Sequence, residues 1–365
     1  MRPLFVLALI TVVLLSVIAI GSLLTISNDP HWFIRGWDFP HVQLVAITVV
    51  LAVIYLVAAK MWFSTNALHP GWHWTVGSLV TVILGWLAYG IMPYTPIMPV
   101  QTMPAADWND DRKLRLVVSN VEMENTEYEL WMKTIAEADP DIAIILEVDE
   151  RWMSAIEPLR KKYDHEIACP QDNWYGMLLL SRFPILDHEI RFRVCDDVPS
   201  IDAVVQLPSG DSVRMLAVHP RPPEPIRDND SKARDAELTL YGRDLEGFDQ
   251  PAIIGGDLND VAWSSTTRLF LRLSKMLDPR RGRGFFNSFN ANHWWMRFPL
   301  DHVFHSQHFT LRRIERLGYV GSDHFPMLLE LQCEPARKHE QEPLEERDTD
   351  KQEASELITR GLAES

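Results

Sequence analysis

The stretch Gly321-Ser322-Asp323-His324-Phe325-Pro326 sets an aspartate beside a histidine, close to the end of the apolar-patterned part of the chain. The glycine and serine before this pair and the proline after it disfavour a regular strand or helix and indicate a loop. A loop of this kind at a strand end can direct a carboxylate and an imidazole into one pocket. A solvated turn would carry the same residues, so the meaning of the pair depends on the rest of the chain.

Short apolar runs alternate with helical patterns across residues 113–333. Many short strands with few helices favour stacked sheets flanked by helices over a doubly wound sheet. Six polar clusters follow or begin these runs, which predicts that they share one rim. The clusters are Asn120, Glu147, His219, Asp257 with Asn259, Asp301, and Asp323 with His324.

The residue types at these strand ends suit metal-assisted hydrolysis. Carboxylate and amide oxygens bind Mg²⁺ or Mn²⁺ in preference to Zn²⁺, and no cysteine belongs to the set. Three cysteines without Cys-x-x-Cys spacing also argue against a zinc ribbon or a disulfide scaffold. Hydrolysis of a phosphate ester needs a metal that neutralises developing charge and a base that activates water. The clusters therefore predict a metal-dependent hydrolase of phosphate esters.

The chain resembles the endonuclease/exonuclease/phosphatase superfamily over essentially all of residues 113–333, and most closely its bacterial membrane-anchored branch. The resemblance implies the DNase I-like α+β fold, a four-layer α/β/β/α sandwich, and in-line attack of water on phosphorus without a covalent intermediate. One departure is Leu146, where the family often has glutamine. Seven motifs carry the resemblance in order: Asn120, Leu146-Glu147-Val148, Ser181-Arg182-Phe183-Pro184, His219, Gly256-Asp257-Leu258-Asn259, Asp301-His302-Val303-Phe304 and Ser322-Asp323-His324.

For the cofactor, the resemblance implies Mg²⁺ or Mn²⁺. Glu147 is expected to be the main metal ligand, with Asn120 beside it. Asp323 is expected to complete this metal site or a second one.

For catalysis, the resemblance implies that Asp257 positions or deprotonates the nucleophile and that Asn259 contacts the phosphate. His324, oriented by Asp301, is expected to act on the phosphate or the attacking water. His219 is expected to stabilise the transition state or to protonate the leaving oxygen. Which histidine is the acid and which is the base stays open.

Two arginines and one aromatic segment have open interpretations. Arg182 and Arg221 are candidate phosphate contacts, with a structural ion pair and an ordinary surface loop as their respective alternatives. His293-Trp294-Trp295 could form a lip for a base or a lipid, or could belong to the core or face a membrane.

The N-terminal region, residues 1–93, predicts three membrane helices at about 4–24, 42–59 and 74–92. The distribution of Arg2, Arg35 and Lys60 places the N-terminus in the cytoplasm, and three spans then put the catalytic domain on the outer side of a bacterial inner membrane. Residues 94–112 are rich in proline and predict a linker. Residues 334–365 are highly charged and predict a disordered tail, with a short helix near 354–362 as an option.

Three functions fit these observations. The first is a membrane-anchored phosphodiesterase of the nuclease type, and the second is a phosphatase or sphingomyelinase-like hydrolase of lipid headgroups or small phosphate esters. The third, an inactive binding module, is disfavoured because nearly every expected site residue is present. The net charge of −15 does not indicate a basic face for long nucleic acid. The expected partners are thus a phosphate ester and a lipid bilayer, and nothing in the sequence points to a protein partner.

Overall fold

The computed structural model describes residues 2–27, 29–63, 71–106, 109–224 and 230–363 of the 365-residue chain. The described residues form two compact units, and the first ends at Pro93 while the second begins at Tyr94. Each unit has a hydrophobic core of its own. The second unit contains all the predicted site residues.

Three long apolar helices make up most of the first unit. Those long and apolar enough to cross a membrane are Pro3–Leu24, His41–Met61 and Gly71–Tyr94, which confirms the three predicted helices. An inner seam that includes Leu15 and Ile83 is buried, whereas many other apolar side chains of the helices are exposed, as suits a lipid environment. The helices of this unit are α1 (Arg2–Leu24), α2 (Trp32–Arg35), α3 (His41–Phe63) and α4 (Gly71–Ile91).

The second unit is built on two sheets. The first has the strand order β10-β11-β1-β2-β4-β3 and the second has the order β5-β6-β7-β8-β9. Both sheets are mixed, with parallel pairs β1/β2 and β7/β8 among antiparallel ones. The strands are β1 (Lys113–Asn120), β2 (Ile142–Leu146), β3 (His165–Cys169), β4 (Met177–Ser181), β5 (Ile185–Arg191), β6 (Ser200–Gln206), β7 (Ser212–Ala217), β8 (Ala252–Asp257), β9 (Asp301–His305), β10 (Phe309–Arg316) and β11 (Met327–Cys333).

Helices cover the outer face of each sheet, so the unit has four layers in the order α/β/β/α, as predicted. The helices of this unit are α5 (Tyr128–Ala138), α6 (Glu150–Ala155), α7 (Glu157–Arg160), α8 (Lys232–Asp244), α9 (Ser265–Ser274) and α10 (Asp350–Leu362).

Alternation along the strands produces these layers. On β1, Leu116 and Val118 point to the core between the sheets, whereas Val117 packs against the α5 and α6 side with Trp131. Successive side chains alternate in direction, but both faces of these strands are buried. The sequence therefore shows continuous apolar runs and not an alternation of apolar and polar residues. On the second sheet, Ile254 packs outward in a cluster with residues of α8 and α9.

The strand order brings the polar strand ends to one rim. Parallel pairing puts Asn120 opposite Leu146, so Asn120 and Glu147 end neighbouring strands at the same edge. Antiparallel pairing puts Asp301, the first residue of β9, opposite Asp257, the last residue of β8. The loop that carries Asp323 and His324 enters β11 at the same end of β1.

The C-terminal segment is ordered as far as residue 363, so the prediction of a disordered tail is wrong there, and α10 includes the residues 354–362 for which a short helix was an option. Helix α10 packs against α8 and α9, and Ala354 lies in a small apolar cluster with Leu269 and Leu273. The Asp350 carboxylate is fully buried and accepts two hydrogen bonds from Arg272, at 2.7 and 2.8 Å. The high charge content had suggested solvation, but α10 has an apolar face, with Ala354 buried and Leu357 packed beside it, that binds this end of the chain to the catalytic unit.

Removing this ion pair is expected to destabilise the catalytic unit. Asp350→Ala leaves the buried guanidinium of Arg272 without its partner, which costs on the order of 3 kcal/mol in the free energy of unfolding. Thermal unfolding of the full-length protein in detergent, followed by near-ultraviolet circular dichroism, measures the change. Glu157→Ala, which breaks an exposed pair with Lys161, is the control. Equal melting temperatures for Asp350→Ala and the unmodified protein would contradict the prediction.

The proline-rich stretch is also part of the second unit rather than a free linker. Tyr94 is buried and donates a hydrogen bond to the Ala262 carbonyl at 2.7 Å. Thr102 is buried against His305, and Pro104 bridges to Leu311 of β10. The predicted boundary between linker and domain therefore moves back to residue 94, although residues 107–108 lie outside the described part of the chain.

A buried acid on α8 predicts a pH-dependent stability. Burial raises the pKa of Glu237 to about 8 against the opposing charge of Arg193, and the residues that the structure describes offer no hydrogen-bond partner to one of its oxygens. As pH rises above the ordinary glutamate pKa, the unfolded chain ionises first. Folding stability then falls until the folded-state pKa is passed, by on the order of 3 kcal/mol at pH 7.

Glu237→Gln removes this loss. The variant is expected to match the unmodified protein in melting temperature near pH 4.5 and to exceed it increasingly up to pH 8. The same change at exposed Glu129 on α5 is the control, since it lacks the burial. A constant difference across the pH series would show that Glu237 does not titrate as inferred.

Candidate active site

His324 is the centre of the predicted site. Its Nδ1 lies 2.7 Å from Asp301 Oδ2, and its Nε2 lies 3.5 Å from Asp257 Oδ2. The three side chains are buried. Burial opposes the charge on His324, yet the carboxylates of Asp301 and Asp257 outweigh it and raise its pKa well above the ordinary value. The imidazole is thus held in one orientation between two carboxylates.

Asn120 connects two further carboxylates. Its Nδ2 donates to Glu147 Oε1 at 2.8 Å and lies 3.2 Å from Asp257 Oδ2. Its Oδ1 accepts the backbone N–H of Glu122 at 2.9 Å. In this orientation the amide nitrogen, not the oxygen, faces the carboxylates. Asn120 therefore holds Glu147 and Asp257 together, and its predicted role as an oxygen ligand would need the amide turned over.

A second group of acids lies beside Glu147. Burial raises the pKa of Asp323 to about 7, and nearby Glu122 and Glu147 act in the same direction. Burial likewise raises the pKa of Glu147 to about 7 against its hydrogen bond from Asn120. The backbone N–H of Asp323 donates to Glu122 Oε2 at 2.9 Å, which fixes the loop next to this acid. The result is a local concentration of carboxylates that a cation would stabilise.

His219 is a third polar side chain close to the Asp257 carboxylate, in addition to His324 and Asn120. Its Nε2 lies 3.8 Å from Asp257 Oδ2, and burial lowers its pKa to about 4. Its buried Nδ1 has no hydrogen-bond partner among the described residues. The centroid of the Tyr175 ring lies 5.4 Å from that of the His219 imidazole. The guanidinium of Arg221 lies over the same Tyr175 ring and donates a hydrogen bond to Asp197. Arg221 thus lies near the site, with its charge already paired.

Local backbone geometry explains why the strand ends aim their side chains inward. Glu147 and Asn259 both have left-handed backbone angles, with φ of 64° and 50°, which β-branched residues rarely adopt. Gly256 precedes Asp257 at φ 155°, and a Cβ there would stand 1.8 Å from the Val218 carbonyl oxygen. The N–H of Asn259 donates to Asp257 Oδ1 at 2.9 Å. The conformation of the turn after β8 therefore depends on Gly256, Asp257 and Asn259 as well as on the strand itself.

The donor set fits a hard divalent cation. The buried carboxylate of Asp257 lies near the half-buried carboxylates of Glu147 and Asp323, and oxygen ligands of this kind suit Mg²⁺ or Mn²⁺. One oxygen of Asp301 is buried and has no hydrogen-bond partner within the described part of the chain, so it is open to bind a cation. Among the described residues, the ligand atoms of Asp257, Asp301 and His324 lie within 4.8 Å of one another. The site can accordingly hold a cation on either side of Asp257.

One sequence prediction is wrong about position. Arg182 follows Ser181, which pairs with Ile142 at the start of β2, so it lies at the opposite end of the first sheet from Glu147. Its guanidinium binds Asp139 at 2.5 Å and lies 3.8 Å from Asp141. Arg182 is therefore a structural ion-pair residue, the alternative raised for it, and not a phosphate contact.

Four residues near the site were not predicted. Glu122 faces Asp323, Tyr175 contacts His219, Phe289 lies 4.9 Å from His324, and Ser288 accepts the N–H of Asp301 at 3.0 Å. Glu122 and Tyr175 had a usable signal, since each lies within two residues of a strand end at the rim. Phe289 and Ser288 belong to a long loop whose position depends on tertiary contacts.

A family model matches the part of the chain that contains the candidate site. The family model described as Endonuclease/Exonuclease/phosphatase family matches residues 117–324, a range that contains every predicted catalytic and metal-binding residue. Among curated proteins, none matches the chain.

Solved structures similar to the chain include three with TM-scores of 0.49. A human Nocturnin catalytic domain with bound sulfate is 16% identical and covers 62% of this chain and 97% of its own. D. rerio TDP2 complexed with a single-strand DNA product is 16% identical, with coverages of 60% and 99%. An endonuclease/exonuclease/phosphatase from Bacteroides vulgatus is 17% identical, with coverages of 61% and 99%.

Proposed function

Because the chain belongs to the endonuclease/exonuclease/phosphatase family, we propose that it is a divalent-metal-dependent phosphodiesterase that hydrolyses its substrate by in-line attack of water. One observation carries the proposal above all. His324, bound to Asp301, faces the buried carboxylate of Asp257, which also receives the Asn120 amide and lies near His219. This is a set of acid–base groups around one point, next to a group of carboxylates suited to a metal.

Each side chain has a proposed role. Asp257 orients the attacking water and accepts its proton, because its carboxylate is central and buried. His324, held by Asp301, is proposed to contact the phosphate, and His219 is proposed to hydrogen-bond to the leaving oxygen. Asn259, whose Nδ2 donates to the Pro220 carbonyl at 3.0 Å, can turn toward a phosphate oxygen. Which histidine donates the proton stays open.

Glu147 and Asp323 are the proposed metal ligands, with Asn120 beside them. A bound Mg²⁺ or Mn²⁺ would supply charge neutralisation on the phosphate oxygens. The crowding of acids around Glu147 supports this assignment, because their mutual repulsion is relieved by a cation.

The three apolar helices support a membrane-anchored enzyme, and we propose that the catalytic unit lies on the outer face of a bacterial inner membrane, as the basic residues of the loops suggest. Two substrate classes follow. The nuclease-type reaction accords with the motif set, whereas a lipid headgroup or small phosphate ester accords with the anchor and the acidic charge.

Substrate tests decide between them. The full-length protein in detergent would be offered plasmid DNA, a single-stranded oligonucleotide, sphingomyelin, phosphoinositides and bis(p-nitrophenyl) phosphate, with Mg²⁺ or Mn²⁺. Full-length protein is needed because Tyr94 and α10 pack into the catalytic unit. Hydrolysis should stop with EDTA and fall about a thousandfold in Asp257→Asn. Metal-independent turnover, or an active Asp257→Asn, would refute the proposal.

A further inference from the structure

A loop next to the active site exposes large apolar side chains. We call residues 290–297 the tryptophan loop. Within it Trp294 is 81% exposed and Trp295 is 57% exposed, with Met296 at 38%. Tyr319 on a neighbouring segment is 47% exposed and donates to Asn292 of the loop. Exposed apolar groups that cluster in this way mark a contact surface more often than isolated ones do.

The tryptophan loop is tied to the catalytic residues. The N–H of Ala291 donates to the Asp323 carbonyl at 2.6 Å, and Phe289, just before the loop, packs on His324. Backbone bonds from Asn290 to the Met296 carbonyl and from Met296 to the His293 carbonyl, both 3.1 Å, close the loop on itself. A surface that binds Trp294 would therefore also fix the position of the active-site rim.

The charges around the loop favour a lipid surface over nucleic acid. Residues 279–300 contain four arginines and no acid, but all four make contacts within the protein. Arg297 donates to the Ala291 carbonyl at 3.4 Å and lies over the Phe325 ring. Arg280 pairs with Asp278, Arg281 lies over Tyr94, and Arg283 donates to the Thr102 carbonyl. Binding of single-stranded nucleic acid needs a basic groove as well as stacking rings. Indoles instead prefer the membrane interface, where one edge is apolar and the N–H is wet.

The chain itself supplies the reason for a bilayer to be close. Three helices able to cross a membrane precede the catalytic unit, and the third candidate span runs to Tyr94, the first residue of that unit. The catalytic unit therefore follows the third candidate span directly in the chain. Because the candidate spans belong to the same chain as the catalytic unit, a bilayer that holds these helices is a partner that does not have to be bound from solution.

We propose that Trp294, Trp295 and Met296 insert into the headgroup region of a lipid bilayer and hold the active-site rim at the membrane surface. The substrate class is then a phosphate ester of a membrane lipid. This second statement rests on the proposed hydrolase function, whereas the bilayer contact does not.

Photo-crosslinking tests the contact directly. p-Benzoylphenylalanine would replace Trp294 in the full-length protein, reconstituted in nanodiscs of phosphatidylcholine and phosphatidylglycerol, and lipid adducts would be measured by mass spectrometry. The control site is Leu186, which is 53% exposed on β5 at the end of the second sheet away from the rim. The inference predicts roughly tenfold more lipid adduct at position 294 than at position 186.

A paired activity measurement tests the substrate class. Trp294→Ala with Trp295→Ala should lower hydrolysis of nanodisc lipids roughly tenfold and leave hydrolysis of bis(p-nitrophenyl) phosphate unchanged, since the apolar contact serves only the bilayer. Leu186→Ala should change neither rate.

The outcomes separate the inference from the proposed function. Equal adduct yields at positions 294 and 186, with bis(p-nitrophenyl) phosphate still hydrolysed, would overturn the bilayer contact alone. Preferential crosslinking of position 294 to an added oligonucleotide would overturn it in favour of base stacking. Lipid adducts at position 294 with no hydrolysis of any ester would uphold the contact and overturn both the hydrolase function and the substrate class.

Discussion

His324→Ala is expected to lower the turnover number about a thousandfold without loss of the fold. The imidazole is buried between Asp301 and Asp257, 2.7 and 3.5 Å from their oxygens, so the variant removes the group that joins two carboxylates. Steady-state hydrolysis of bis(p-nitrophenyl) phosphate by the full-length protein measures the effect. His188→Ala, at an exposed position on β5, is the matched control and should retain full activity.

Asp301→Asn tests whether His324 acts through this partner. The amide cannot hold an imidazolium as the carboxylate does, so turnover should fall on the order of a hundredfold. In the double variant His324→Ala with Asp301→Asn, the two losses of turnover should not add as free energies, because residues that act as a unit show strong non-additivity. Fully additive losses would separate Asp301 from the function of His324.

Glu147→Gln is expected to lower metal affinity by about a hundredfold or more. Its carboxylate stands among Asn120, Asp323 and Asp257, and the neutral amide removes the charge that would attract the cation. Turnover should fall with it, and added Mg²⁺ should restore only part of the rate.

The dependence of the melting temperature on Mg²⁺ tests Glu147→Gln without an activity assay. A cation that binds only the folded state raises the free energy of unfolding by RT ln(1 + [M]/Kd), and the melting temperature rises with it. Mg²⁺ should stabilise the unmodified protein and Asp187→Asn, a control on the edge strand β5, but not Glu147→Gln. A variant that kept the full Mg²⁺-dependent stabilisation would move the metal to the group formed by Asp257, Asp301 and His324.

Much of the candidate site could be predicted from the chain alone. Asn120, Glu147, His219 and Asp257 each stand at the end of a short apolar strand pattern, and the structure brings all four to one rim. Local sequence was sufficient there because a strand end is a local feature and the order of the motifs matched a known family.

Two other predictions, the phosphate contact at Arg182 and the disordered C-terminal tail, were wrong because they depended on tertiary position. Arg182 also follows an apolar run, but β4 is antiparallel to β2, so its end lies at the opposite edge. The charged tail has too few apolar residues to fold alone, yet α10 covers an apolar patch on α9 and buries Asp350 against Arg272. Both outcomes depend on neighbours distant in sequence.

The sequence by itself determined the three apolar helices and the two-layer strand pattern, and it singled out most of the candidate site residues, because hydrophobic periodicity and strand-end polarity are local properties. Tertiary structure alone decided which partner each polar side chain meets. It set Asp301 on His324, turned the Asn120 amide toward Glu147, and placed the tryptophan loop beside Asp323. Contacts of this kind join residues far apart in the chain, and their energies are realised only after the two sheets have packed.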